Sequence, residues 1–242
     1  ITRQKVCVNI HVKVGKLENM KCIFIYSILI STIFAYNTGY SGMYFSKGLS
    51  VLGNYSIQQE DGESSNAISL GFSYLAIQEP SDERPTLSGI YEISGFYNNI
   101  DTNDGLNMEM LSGGLNYYMP NNLKFGFHYE TLYDFSGGEL DNFNSSGFDV
   151  EMTATSNIIS IGFYDDKALP FLVFLELMNL DGKISLDVTS NGQHFLTSED
   201  KISTRLLRFG AGHKIDNLAI QAMVTMNEDK EARYTLGVIY EL

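Results

Sequence analysis

Seven ionisable side chains are of types that could form buried ion pairs or line a path for ions. They comprise four carboxylates, two cations and one imidazole: Glu92, Glu109, Glu130, Glu176, Lys124, Arg208 and His128. Carboxylates beside Lys and Arg in a dry interior form salt bridges, whereas carboxylates lining a narrow water-filled pore favour cations. Which chemistry applies depends on the elements that hold these side chains together.

Catalysis finds little support in the sequence. After residue 35 the only histidines are His128, His194 and His213. His194 lies near Glu199 and Asp200, but a single histidine beside acids is usually solvated, and His213 ends a predicted strand. No nucleophile elbow, zinc spacing, phosphate loop or EF-hand is present, so we expect a non-enzyme without catalytic residues, metal or cofactor.

The elements that carry these side chains have a period of two. In LKFGFHYETLYDF, residues 123–135, one face is almost entirely aromatic or apolar, while the other carries Lys124, His128 and Glu130. The segments NAISLGFSYLA and LAIQAMVTM alternate in the same way, as expected for strands with two different faces. By this alternation, the seven ionisable side chains, together with Lys214 and Glu241, belong to the less apolar face.

Ten such strands are predicted. Their spans are 45–56, 66–78, 86–98, 106–119, 123–135, 148–164, 169–180, 202–214, 217–227 and 233–242. An even number of strands of about ten residues, joined by turns on one side and loops on the other, indicates an all-β, antiparallel up-and-down transmembrane β-barrel. Eight or twelve strands remain possible alternatives.

The connections alternate in length and charge. Short links such as PNN and IDN follow even-numbered strands, and longer acidic links such as IQQEDGESS and SGGELDNFNSSG follow odd-numbered ones. Within the link at residues 181–201, KISLDV could be a strand extension or a separate hairpin. The acidic links serve either solubility or contact with a partner, such as divalent cations bridging to lipopolysaccharide.

A soluble β-sandwich or lipocalin-like barrel also alternates, so the faces must be compared. The less apolar face is rich in Gly, Ser, Ala and Thr, which suits a crowded lumen better than a solvated surface. The apolar stripes end in aromatic residues, as an interfacial girdle requires: Tyr91, Tyr97, Tyr117, Tyr129, Tyr133, Phe163, Tyr234 and Tyr240. These observations favour the membrane barrel, with the apolar face outward.

The N-terminal part differs from the remainder. Residues 20–35, MKCIFIYSILISTIFA, have the layout of a signal peptide for Sec-type export, and a retained anchor is the alternative. Residues 1–19 fit an upstream or extended n-region outside the fold. We therefore expect residues 36–44 to be a short lead-in and residues 45–242 to be the barrel. Cleavage after Ala35 removes Cys7 and Cys22 and leaves 11 basic and 28 acidic residues, a net charge of -17.

The last strand resembles the C-terminal β-signal of Gram-negative outer-membrane barrel proteins, which place apolar residues at alternate positions up to the end. The matching residues are Tyr234, Leu236, Val238, Tyr240 and Leu242, with Leu242 where the family favours Phe. The resemblance implies an outer-membrane location and recognition by the barrel assembly machinery. Lipid and lipopolysaccharide become the expected neighbours of a monomer, and the acidic charge disfavours nucleic acid.

Three hypotheses remain open at this stage. A ten-stranded barrel is narrow, and small barrels are usually filled by side chains. The charged side chains then form a plug of salt bridges, and the protein has a structural or surface-contact role through its acidic loops. Alternatively, the lumen is a small porin-like channel that prefers cations. A soluble lipid-binding barrel is the third hypothesis.

Overall fold

The computed structural model describes residues 40–60, 63–79, 88–102, 105–145, 147–165, 171–190, 192–228 and 230–242. Ten strands account for most of these residues. Their bounds are β1 Gly48–Glu60, β2 Glu63–Gln78, β3 Gly89–Asp101, β4 Leu106–Tyr118, β5 Leu123–Gly137, β6 Phe148–Asp165, β7 Leu172–Ser190, β8 Gln193–Ile215, β9 Leu218–Asn227 and β10 Ala232–Glu241. The predicted signal peptide and residues 36–39 lie outside the described residues.

The strands form one closed antiparallel barrel in which each strand pairs with its neighbours in sequence. The barrel is sealed where β10 pairs with β1, in a register that runs from Ser50 opposite Glu241 to Gln59 opposite Ala232. Closure leaves no open edge along the paired length of these two strands, because their N–H and C=O groups bond to each other. The predicted ten-stranded antiparallel barrel is therefore confirmed.

Side chains alternate between a buried interior and an apolar exterior. On β10 the outward Leu236 is 63% exposed while the inward Thr235 is 4% exposed, and on β6 the outward Ile159 is 63% exposed while Ile158 is buried. A water-soluble barrel would place its apolar face inside. The exterior of this barrel instead requires a hydrocarbon environment, as in transmembrane barrels.

Several predicted loops are in fact strand. β1 continues to Glu60 and β2 begins at Glu63, so only residues 61–62 separate them. Of the two alternatives for KISLDV, the strand extension is the one found, since this stretch continues β7. β7 and β8 pair from Leu172 opposite Gly212 to Ser190 opposite Gln193, although β8 pairs with β9 only from Leu206 onward. The outer parts of β6, β7 and β8 thus project beyond the barrel wall as a three-stranded sheet.

The link between β5 and β6 contains a helix that the sequence analysis did not predict. Helix α1, Glu139–Ser145, packs against β6 and β5. Its Leu140 joins Met152, Ile184, Leu186 and Val188 in an apolar cluster on the inner face of the projecting sheet. Among the described residues, no helix has the length and hydropathy that a membrane span needs.

The chain just before β1 lies inside the barrel. Residues Ser41–Met43 form a 3₁₀ turn, and every residue from Tyr40 to Phe45 is buried. The expected lead-in at residues 36–44 therefore includes at least five residues that fill the lumen, in addition to Phe45. We refer to Tyr40–Phe45 as the N-terminal segment. It lies at the end of the barrel where β2 joins β3 and β4 joins β5, which we call the turn side; the opposite end is the loop side.

Candidate functional site: the lumen cluster and the N-terminal segment

An ion pair lies inside the lumen. Lys124 Nζ on β5 donates a hydrogen bond to Glu176 Oε1 on β7 at 2.5 Å, and Arg208 Nη1 on β8 lies 3.8 Å from Glu176 Oε2. All three side chains are at most 1% exposed. Buried charges of this kind persist only when they are paired and hydrogen-bonded, so the two cations and the carboxylate depend on one another.

The N-terminal segment completes this group through Tyr40. The Tyr40 hydroxyl donates a hydrogen bond to Glu176 Oε2 and accepts one from Arg208 Nη1 at 2.6 Å. Lys124 Nζ lies 3.6 Å from the centroid of the Tyr40 ring, and Phe174 meets the ring edge-on. Tyr40 therefore occupies a pocket whose wall supplies a cation over the ring, a carboxylate and a guanidinium.

Glu92 on β3 forms the second anchor of the segment. Its carboxylate accepts hydrogen bonds from the Ser41 backbone N–H at 3.0 Å, from Asn116 Nδ2 at 3.1 Å and from the Tyr118 hydroxyl at 2.5 Å. Three donors around one buried carboxylate compensate much of its lost hydration. We call Glu92, Asn116, Tyr118, Lys124, Glu176 and Arg208 the lumen cluster.

The segment also fits the wall by shape. A Cβ added to Gly42 would collide with the Tyr118 ring, and one added to Gly212 on β8 would collide with the Tyr44 hydroxyl. Tyr44 and Phe45 pack with Leu52, Phe96 and other buried residues of the turn side. Burial raises the pKa of the Tyr44 hydroxyl, because the phenolate would lose its hydration.

His128 and Glu130 lie further along β5. His128 Nε2 is 3.1 Å from Asn116 Oδ1, and the imidazole packs over Gly114, which has no side chain to obstruct it. Glu130 accepts a hydrogen bond from the Ser156 hydroxyl at 3.0 Å. Both residues are fully buried and connected to neighbouring strands, so they extend the polar interior beyond the lumen cluster.

Six of the seven predicted inward residues face the lumen, and Glu109 does not. Met108 and Met110 on either side of it are buried, so Glu109 points outward. The pairing of β4 with β5 shifts between Glu109 and Met110. The inward assignment of Glu109 is wrong, since the unbroken alternation of β4 places the even-numbered residues inside, and the extra residue at this shift belongs to β5.

Three important interior residues were missed. Arg233 is 2% exposed and alternates with the outward Tyr234, so the period of two already placed it inside. Tyr118 follows Tyr117, which was assigned to the girdle, and the same alternation would have found it. Tyr40 carries no such signal, because it precedes the first strand and its role depends on residues more than 130 positions away.

The remaining candidate residues lie at the rims. His194 Nε2 lies 3.3 Å from Asp187 Oδ1 on the projecting sheet, and both side chains are about half exposed. His213 faces outward against Phe171, while Lys214 Nζ lies 4.4 Å from the centroid of the Phe45 ring. Within the described ranges, no group of three or more His, Cys, Asp or Glu side chains could hold a metal ion.

The residues of the predicted C-terminal signal share the outer face of β10. Tyr234, Leu236, Val238, Tyr240 and Leu242 are between 46% and 67% exposed. The backbone N–H of Leu242 donates to Leu49 O at 2.9 Å, so the seam continues to the last residue.

The sequence matches no family model and no curated protein. Similar solved structures include the β domain of the Bordetella autotransporter BrkA, which has 10% sequence identity and a TM-score of 0.46. The match covers 82% of this chain and 100% of that one. The N-terminal β-barrel domain of Pseudomonas aeruginosa OprF has 7% sequence identity and a TM-score of 0.38, and the match covers 81% of this chain and 98% of that one. The Acinetobacter baumannii outer membrane protein Omp33 has 10% sequence identity and a TM-score of 0.36, and the match covers 84% of this chain and 100% of that one. The resemblance is one of architecture and assigns no ligand or activity.

Proposed function

We propose that this protein is an integral outer-membrane β-barrel protein whose lumen is closed at rest by its own side chains and N-terminal segment. Its role is structural or one of surface contact, carried by the acidic loop side. The observation that carries the proposal is the hydrogen-bonded network of Tyr40, Lys124, Glu176 and Arg208 buried inside a barrel with an apolar exterior.

The outward side chains support a membrane position with a sharp outer boundary. On β7 the outward residues from Phe171 to Leu177 are apolar, and Asn179 and Asp181 follow. Asn179 pairs with Arg205, and Asp181 pairs with Asn157 on the other neighbouring strand. The change from apolar to polar therefore occurs on adjacent strands at a similar height, as a hydrocarbon boundary requires.

The charge balance of the interior supports a plug rather than a cation-preferring pore. Among the described residues, the buried carboxylates are Glu92, Glu130 and Glu176, and the buried cations are Lys124, Arg208 and Arg233. Equal numbers of both signs give no net field to select cations, and Glu92 and Glu176 already accept hydrogen bonds from protein donors.

The projecting sheet supports the surface-contact role. Its outward face carries Glu151, Asp181, Asp187 and Glu199, with Lys183 bound to Glu199 at 2.9 Å. Exposed pairs of this kind contribute little stability, so these charges remain available to a partner. We propose lipopolysaccharide, bridged by divalent cations, as that partner, because phosphate and carboxylate groups share such ions.

Export and assembly complete the proposal. A Sec-type signal at residues 20–35 delivers the chain, and the outward apolar residues of β10 are recognised by the barrel assembly machinery. We expect a monomer without cofactor or metal and without catalytic activity. Recognition at β10 is consistent with its place at the seam, since the strand that pairs last with β1 completes the barrel.

The test combines fractionation with electrical recording. The mature protein should require detergent for extraction and should migrate faster on gels before heating than after it. In planar bilayers it should give no steady current at moderate voltage. Recovery in the aqueous periplasmic fraction would refute the membrane assignment, and a steady open current from the wild-type protein would refute the closed lumen.

A further inference from the structure

We propose that the N-terminal segment is a displaceable gate. It closes the turn-side end of a hydrated lane that runs along the inner faces of β9, β10, β1, β2 and β3. When the segment leaves, the barrel conducts small ions. This inference rests on the proposed function, because it takes the resting lumen to be closed.

One side of the lumen is lined by small polar side chains. Ser50 lies opposite Ser73, and Ser73 lies opposite Ser94, so three neighbouring strands place a serine at the same height. All three side chains point inward and are buried. Hydroxymethyl groups cannot fill a lumen of ten strands, in which the other side carries Lys124, Glu176 and Arg208. The N-terminal segment, and not this wall, therefore fills the lumen beside these serines.

Two glutamines indicate that the lane holds water. Gln58 on β1 and Gln221 on β9 are 2% and 1% exposed, and neither the Oε1 nor the Nε2 atom of either side chain has a hydrogen-bond partner within the described part of the protein. Buried amides without partners are strongly disfavoured, whereas water molecules in a polar cavity satisfy them. Both side chains point into the lumen, at different heights along the wall.

The N-terminal segment blocks the turn-side end of this lane. The Ser41 hydroxyl lies 2.6 Å from the Ser73 hydroxyl, in the middle of the row of serines. Its backbone N–H binds Glu92, and Tyr40 reaches the opposite wall at Glu176 and Arg208. The segment thus spans the lumen from β2 and β3 to β7 and β8, where ions entering from the turn side would have to pass.

The segment can leave without breaking the pairing between the barrel strands. Its 3₁₀ turn is closed by its own hydrogen bonds, from Tyr44 N–H and Phe45 N–H to Ser41 O. It belongs to none of the ten paired strands, and the closed strand order is complete without it. Side-chain contacts and one backbone N–H to Glu92 hold it, so its departure breaks no strand ladder.

A disulfide can lock the gate. The chain after residue 35 contains no cysteine, and the neighbouring Ser41 and Ser73 hydroxyls make the double variant S41C/S73C suitable for a bond. Diamide would accept the two electrons and two protons released by the thiols. The single variant S41C is the matched control, since it cannot form this bond.

Conductance in planar bilayers gives the readout. We expect the reduced double variant to show transient openings, and oxidation to reduce their frequency at least tenfold, with recovery after dithiothreitol. Diamide should not alter the openings of S41C. Deletion of residues 40–45 should give a steady current, and so should G42V, whose side chain would collide with Tyr118 without changing the barrel wall.

The outcomes separate this inference from the proposed function. Heat-modifiable migration shows which variants are folded. If folded G42V or the folded deletion variant stays as silent as the wild type, the gate is refuted and the closed barrel stands. If oxidised S41C/S73C, with the bond confirmed by mass, opens as often as its reduced form, the gate is also refuted. A steady wild-type current at the level of the deletion variant would refute the closed lumen itself.

Discussion

Lys124 and Glu176 form a salt bridge across an intervening strand. Lys124 on β5 lies opposite Gly162 on β6, and Gly162 lies opposite Glu176 on β7, so the 2.5 Å contact passes over a residue without a side chain. A side chain at residue 162 would stand between the two charges. The interior thus combines charged residues with glycines that leave room for them.

The first prediction concerns the carboxylate of this pair. E176Q should lower the free energy of unfolding by about 3–5 kcal/mol, because Lys124 and Arg208 would both lose their buried counter-charge. E109Q is the matched control, and it should change the free energy of unfolding by less than about 0.5 kcal/mol, because Glu109 faces outward. Urea titration of the protein folded in lipid vesicles measures both. Equal losses for the two variants would contradict the assignment of faces.

The second prediction uses two adjacent glycines on β4. A Cβ at Gly114 would collide with the His128 ring, whereas a Cβ at Gly113 would meet only Ser94 O at 3.8 Å. G114A should therefore destabilise the barrel by about 1–3 kcal/mol through overpacking. G113A should be neutral or slightly stabilising, because alanine loses less backbone entropy on folding than glycine. Thermal unfolding in the same detergent compares them, and a neutral G114A would contradict the buried position of His128.

The third prediction tests the seam. The hydroxyl of Ser56 on β1 lies 2.8 Å from that of Thr235 on β10, and both side chains face inward. S56C/T235C should oxidise to a cross-linked form with faster migration after denaturation. S56C/L236C should not cross-link, because residue 236 points to the opposite face. Cross-linking of the second pair in preference to the first would show that the register differs by one residue.

The sequence predicted the fold well because a barrel wall repeats one local rule. All ten strands were found, and the inward positions of Glu92, Lys124, Glu176 and Arg208 followed from the alternation with apolar neighbours. Glu109 was placed on the wrong face because the alternation was not followed along β4, where the outward Leu111 puts the odd-numbered residues outside. The pairing shift beside it adds a residue to β5 and not to β4, so it does not change the faces of β4.

The contacts of the N-terminal segment could not be predicted. Tyr40 lies before the first strand, and its partners Glu176 and Arg208 are 136 and 168 residues away. The extent of the loops was also misjudged, because acidic and polar residues in IQQEDGESS and around KISLDV are typical of loops. They form strand here because the pairing of β1 with β2 and of β7 with β8 satisfies the backbone beyond the apolar band.

The most direct test of the central claim, that the apolar face contacts lipid, compares L175R with N179R on the outward face of β7. Leu175 lies within the apolar stripe and Asn179 lies at its outer boundary. Arginine deep in the hydrocarbon should cost about 2–4 kcal/mol of folding free energy in vesicles, and arginine near the interface about 0–1 kcal/mol. Equal costs for the two variants in vesicles would contradict a membrane-spanning barrel.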